Sequence, residues 1–177
     1  MPSSKNELLL IQKKKVETPI ELEEAKCDEW MKILLARAEL CGSNGEVPVA
    51  AVILDKHGHC IGHGSNRREH ERNPLSHAEL VALRQASWIK NDWRFNDCTL
   101  IVTLEPCPMC AGALIQARMG QIIFAASDSK RGALGGCLKL DTHPSSHHKM
   151  IVKSGIRKED ASKQLTNWFK QQVRNYS

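Results

Sequence analysis

The stretch TLIVTLEPCPMC, Thr99 to Cys110, decides the reading of the chain. TLIVTL is rich in β-branched and apolar residues and reads as a buried strand. It runs straight into Glu105-Pro106-Cys107, and Cys107 to Arg118 is helical by composition, with proline in the first turn. Cys107 and Cys110, three residues apart, share one helix face, so both sulfurs can reach one point. The positive end of a helix lowers thiol pKa and favours the thiolate.

Working outward, QIIFAA (121–126) reads as a second strand, VPVAAVILD (47–55) as a third and His59 to Gly64 as a fourth, with Lys56-His57-Gly58 as the turn between the last two. Glu23 to Leu40 repeats Trp30, Ile33, Leu34 and Ala38 at helical spacing, ending near Gly42. Ala78 to Ile89 carries a stripe of Leu80, Leu83 and Ala86. A last helix is predicted from Lys158 to about Val173, with Leu165, Trp168 and Phe169 facing inward. Asn66 to Ser76 is a polar loop, Ser127 to Thr142 a glycine-rich one, and Lys149 to Val152 a short strand. Strands alternating with helices predict a layered α/β domain, helices covering both faces of a mixed sheet. The domain is placed at residues 22–177, after a flexible N-terminal arm at 1–21 that lacks a period.

A length of 177 residues suits one domain able to bury a core without disulfides. No apolar run is long enough to cross a membrane, and the start lacks the charge-then-apolar order of a secretory signal, so the cytoplasm is expected. Seven cysteines, an odd number, argue against a disulfide framework. Cys60 and Cys98, bordering strands, are expected to act as small hydrophobes. From Lys149 onward seven Lys/Arg face only Glu159 and Asp160, a surplus matching the net +5 of the whole chain. That tail is either a solvated helix face, preferred on charge alone, or an electrostatic footprint for nucleic acid.

Two cysteines do not complete a metal site, and C-x-x-C by itself also fits redox motifs and zinc knuckles. His77-Ala78-Glu79 supplies the missing chemistry. If His77 sits at a helix entry, as Pro74-Leu-Ser upstream suggests, then His77, Cys107 and Cys110 give three ligands and leave a fourth position for water, the catalytic arrangement of zinc. A structural site needs no adjacent free carboxylate. Glu79 is therefore read as a general acid/base that takes and redelivers the water's proton. H-x-E followed thirty residues later by P-C-x-x-C is the established signature of zinc nucleobase deaminases.

Several segments carry a wider resemblance. EVPVAAVI, SHAELVALRQA, VTLEPCPMCAGALIQAR and ASDSKRGALGG resemble the cytidine/deoxycytidylate deaminase superfamily, and within it the bacterial tRNA-specific adenosine deaminases, over roughly Trp30 to Arg174. The resemblance implies a three-layer α/β/α cytidine-deaminase-like fold with a mixed central sheet. It implies one zinc per subunit on His77, Cys107 and Cys110, and Glu79 as proton shuttle. It also implies conversion of adenosine to inosine at the wobble position (A34) of tRNA. Asn66 matches the position holding the target nucleoside, although Asn is also common in turns. Asp128 matches a position near the sugar, and His148 one near the RNA. The implied partners are a tRNA anticodon stem-loop and a second copy in a homodimer, with no membrane and no DNA. The chain departs from the family at His147, where Asn is usual, and at Gly136, where Ser is usual. It departs again after Trp168-Phe169, where paired arginines are replaced by Lys170 to Arg174. Two other readings stay open: a free nucleobase or nucleoside deaminase of the same fold, acting on guanine or cytosine, and a non-catalytic zinc-containing RNA-binding module.

Overall fold

A computed structural model describes residues 18–175. Most of the predicted arm, residues 1–17, lies outside that range. The elements are α1 (Glu24–Ser43), β1 (Ala50–Leu54), β2 (Cys60–Ser65), α2 (Arg68–Glu71), α3 (Ala78–Lys90), β3 (Thr99–Leu104), α4 (Pro108–Gln116), β4 (Gln121–Ala126), β5 (Ile151–Ser154) and α5 (Lys158–Asn175). The five strands lie in the order β2-β1-β3-β4-β5. β1 is antiparallel to both β2 and β3, while β3, β4 and β5 are parallel. The sheet is mixed, as predicted.

Both faces of the central strands are buried, which explains their unbroken apolar runs. Alternate residues point to opposite faces. Ala50, Val52, Leu54, Ile101, Ile123 and Ala125 pack under α1 and α5, with Cys27, Met31, Leu34 and Ala161. Ala51, Ile53, Leu100, Val102, Ile122 and Phe124 pack under α3 and α4, with Ala78, Ala82, Ala86, Ala111 and Leu114. Each fully buried Leu, Ile or Val contributes roughly 1.5–3 kcal/mol. The α/β/α layering follows.

α3 lies almost on the backbone of β2. A Cβ on Gly62 would stand 2.4 Å from the Ala82 carbonyl oxygen, and one on Gly64 2.3 Å from that of Ala78. These glycines, facing alanines, bring the start of α3 into position. They also correct the predicted stripe: Ala78, Ala82 and Ala86 are fully buried, while Leu80 and Leu83 are half-buried at the margin.

Other expectations change. Ile33 is 50% exposed, because α1 meets the sheet through Cys27, Met31, Leu34, Ala38 and Cys41. Phe169 is 51% exposed: Trp168 turns toward α1, donating its indole N–H to the Gly42 carbonyl at 3.0 Å, and the next residue points away. The loop after Asn66 contains the single turn α2, closed by Arg72 in the left-handed region (φ 48°). Cys98 is buried but Cys60 is exposed, and all seven cysteines are free. No helix among the described residues is long and apolar enough to cross a membrane.

Candidate metal centre and active site

β3 and β4 end together, Leu104 beside Ala126, and the site is built at that end of the sheet. Two helices begin there. His77 is the residue just before α3, with extended backbone (φ −76°, ψ 150°), and Cys107 holds the same place before α4 (φ −71°, ψ 171°). Extended backbone at a helix entry is what lets His77 and Glu79, two residues apart, serve one site. Proline at 108 starts α4 without losing a needed N–H.

The His77 Nδ1 lies 3.7 Å from the Cys107 sulfur and 3.5 Å from the Cys110 sulfur. All three ligand atoms fall within 4.8 Å of one another, the one cluster of its kind among the described residues. A tetrahedral zinc with Zn–N of about 2.0 Å and Zn–S of about 2.3 Å separates nitrogen from sulfur by about 3.5 Å. The donor set and its spacing therefore fit such an ion. The Cys110 thiol and the His77 ring hold the Cys107 thiol down at about 4, and Cys110 is pushed up in turn as the proton holder. Glu79, 4% exposed in the first turn of α3, is outside the triad. Burial pushes its carboxyl up to about 7.

Asn66 is buried beside this entry. Its Oδ1 accepts the Ala78 N–H at 3.0 Å, and its Nδ2 donates to the Val47 carbonyl at 3.0 Å. One amide hydrogen remains to offer. A groove of about 810 Å³ opens next to it, with Arg37, His63, Arg67 and His70 in its wall. The carboxylate there, Glu46, is occupied by the backbone N–H groups of Glu69 and His70.

Asp128 follows β4 at the same sheet end. Its Oδ1 accepts the N–H groups of Lys130 and Arg131 at 2.9 and 3.0 Å, closing a tight turn. His148 is elsewhere. Its Nε2 is 2.8 Å from the Met119 carbonyl oxygen, before β4, at the opposite end of the parallel strands from Cys107.

Sequence reasoning missed Glu105. This buried carboxylate accepts three backbone N–H groups: Asp128 on Oε2, Leu134 and Gly136 on Oε1, each at 2.9 Å. The available signal was a carboxylate closing an apolar strand, in a chain with a glycine-rich loop full of N–H groups.

A three-layer sheet with a His–Cys–Cys cluster and a buried carboxylate against it at the strand ends defines a deaminase of the cytidine-deaminase-like fold. A family model described as MafB19-like deaminase matches residues 25–172. The tRNA-specific adenosine deaminase of Haemophilus influenzae is 37% identical over 142 residues, covering 80% of this chain and 82% of that protein. A solved structure from work on A-to-I editing by tRNA:A34 deaminases aligns with TM-score 0.74 at 32% identity, over 77% of this chain and 98% of that one. A guanine deaminase from Nitrosomonas europaea shares the fold alone, at 22% identity and TM-score 0.67, over 90% of this chain and 91% of its own. The chain belongs to the MafB19-like deaminases and to the family of tRNA-specific adenosine deaminases.

Proposed function

We propose that the protein hydrolyses adenosine to inosine and ammonia at position 34 of a tRNA anticodon, using one zinc per subunit held by His77, Cys107 and Cys110. The observation that carries this is Glu79: a buried carboxylate beside a three-ligand cluster, where folding alone would not need one. When bound, zinc supplies a Lewis acid that lowers the pKa of water to near ~7. Glu79 takes the proton from the attacking water as oxygen adds to C6 of adenine. It passes that proton to ring N1, then takes the proton of the new C6 hydroxyl and delivers it to the amino group, which leaves as ammonia as the C6 carbonyl forms.

A base in a single-stranded loop is extruded into a pocket at small cost. The remaining Asn66 N–H is proposed to hold the nucleoside, and Asp128 the region of its sugar. The contact proposed for His148 is with RNA away from the target base. Arg37, in the groove beside Asn66 and with no carboxylate partner among the described residues, favours a polyanionic substrate over a free base. The functional unit is proposed to be a homodimer, for which exposed Trp88 and Ile89 at the end of α3 supply apolar surface.

The test is ammonia release from transcribed tRNA carrying A34, run beside free guanine, cytosine and nucleosides. Release from the tRNA alone supports the proposal. Release from a free base alone replaces it with a nucleobase deaminase, and tRNA binding at full zinc occupancy without inosine replaces it with a binding module.

A further inference from the structure

Glu105 is 3% exposed, carries no cationic partner among the described residues, and spends its carboxylate on backbone N–H groups of one loop. That loop leaves β4 at Ala126 and returns past Gly136. Its two limbs are held by different oxygens: Asp128 by Oε2, Leu134 and Gly136 by Oε1. The segment just after β3 makes two more backbone bonds, the Glu105 N–H to the carbonyl of Ala126 at the end of β4 at 2.8 Å, and the Pro106 carbonyl from the loop's Ala133 N–H at 2.9 Å. The residue after Pro106 is Cys107. One short segment, 105–107, therefore both anchors the loop and starts the metal-bearing helix.

The loop's glycines are shaped around this carboxylate. A Cβ at Gly132 would stand 2.3 Å from Glu105 Oε2 and 2.5 Å from the Asp128 carbonyl oxygen. At Gly136 the corresponding distances are 2.4 and 2.3 Å. Backbone carbonyls on one side and a buried carboxylate on the other leave no flexible neighbour to give way. In this chain Gly132 and Gly136 let the loop backbone close on Glu105, whereas Gly135 answers to its own positive φ of 132°.

We propose that Glu105 is a positioning residue. It touches neither substrate nor metal, but fixes the 127–137 loop, and Asp128 with it, in register with the metal ligands, and so governs how tightly substrate is held. The inference rests on the substrate reading above. Glu105→Gln keeps the size of the side chain but cannot accept all three N–H groups, since its amide nitrogen only donates.

The experiment measures four quantities on zinc-loaded wild type and Glu105→Gln: bound zinc, KM and kcat on an A34 anticodon stem-loop, and amide hydrogen exchange of residues 127–137. The expected result is unchanged zinc, a KM raised about tenfold or more, kcat within about threefold, and faster exchange confined to the loop. Gly136→Ala, which attacks the same contact from the loop side, is expected to show the same KM rise and carries the test if Glu105→Gln does not fold. Loss of zinc in step with activity, an unchanged KM, or an unchanged loop exchange overturns the proposal. Absence of activity in the wild type overturns the substrate reading instead, and the zinc and exchange measurements still decide the loop's anchoring.

Discussion

The His77 ring nitrogen stands 3.5 Å from the Cys110 sulfur although 33 residues separate them, because two helices start at one end of one sheet. The cluster is thus a product of topology. Removing any member should remove the metal before it disturbs the fold. His77→Ala and Cys110→Ala are each expected to purify with less than about a tenth of the wild-type zinc and no measurable deamination. Metal analysis on folded protein checks this, and full zinc in either variant contradicts the ligand set.

Asn66→Ala should show two separable effects. The Oδ1 bond to the Ala78 N–H caps the start of α3, and losing a cap of this kind costs about 1 kcal/mol. Losing the free amide hydrogen should also lower kcat/KM about tenfold, the equivalent of about 1.4 kcal/mol. Chemical denaturation reads the first and kinetics on a stem-loop the second. A stability loss with unchanged kinetics would leave Asn66 purely structural.

How much of this was legible beforehand varies by element for physical reasons. TLIVTL and QIIFAA match β3 and β4 residue for residue, since strands buried on both faces are written as continuous apolar runs. The single turn α2 is too short for any period. Ile33 and Phe169 share a helix with the buried stripe but sit off it, and a count of apolar residues cannot rotate them to the right face. Four candidate site residues, His77, Glu79, Cys107 and Cys110, stood out because metal chemistry restricts residue type and spacing, and the fold brings the three candidate ligands together. Glu105 was not, because its partners are backbone N–H groups, which every loop residue carries and no letter reveals.

Arg37 faces the His63 ring at 3.0 Å and no carboxylate among the described residues, in the groove beside Asn66. Arg37→Gln is expected to weaken tRNA binding and to lower the slope of log K against log salt by about one phosphate contact. Equilibrium binding between low and moderate salt checks it. An identical slope would take Arg37 off the RNA path.

Lys90 and Asp97 form an ion pair at 2.8 Å joining α3 to the start of β3. Burial pushes the Asp97 carboxyl up, but Lys90 and the Cys98 thiol more than offset it, and the net position is below the usual carboxylate range. A depressed folded-state pKa contributes stability above the unfolded value of about 4, and that contribution is lost as pH falls through the folded value. Asp97→Asn should therefore cost about 1 kcal/mol at pH 7, with the difference from wild type shrinking toward zero as the pH drops below about 4. Urea denaturation at several pH values measures this, and a difference that grows on acidification contradicts it.

The central claim is that Glu79 is a proton shuttle rather than a metal ligand or a packing group, in an enzyme that edits A34. Its direct test is sequencing of A34 tRNA after incubation with wild type and Glu79→Ala at matched zinc content, inosine being read as guanosine. The account predicts conversion at position 34 alone by the wild type, and none by Glu79→Ala despite an equal zinc load. Inosine produced by Glu79→Ala, or none at position 34 with the zinc-loaded wild type, would contradict it.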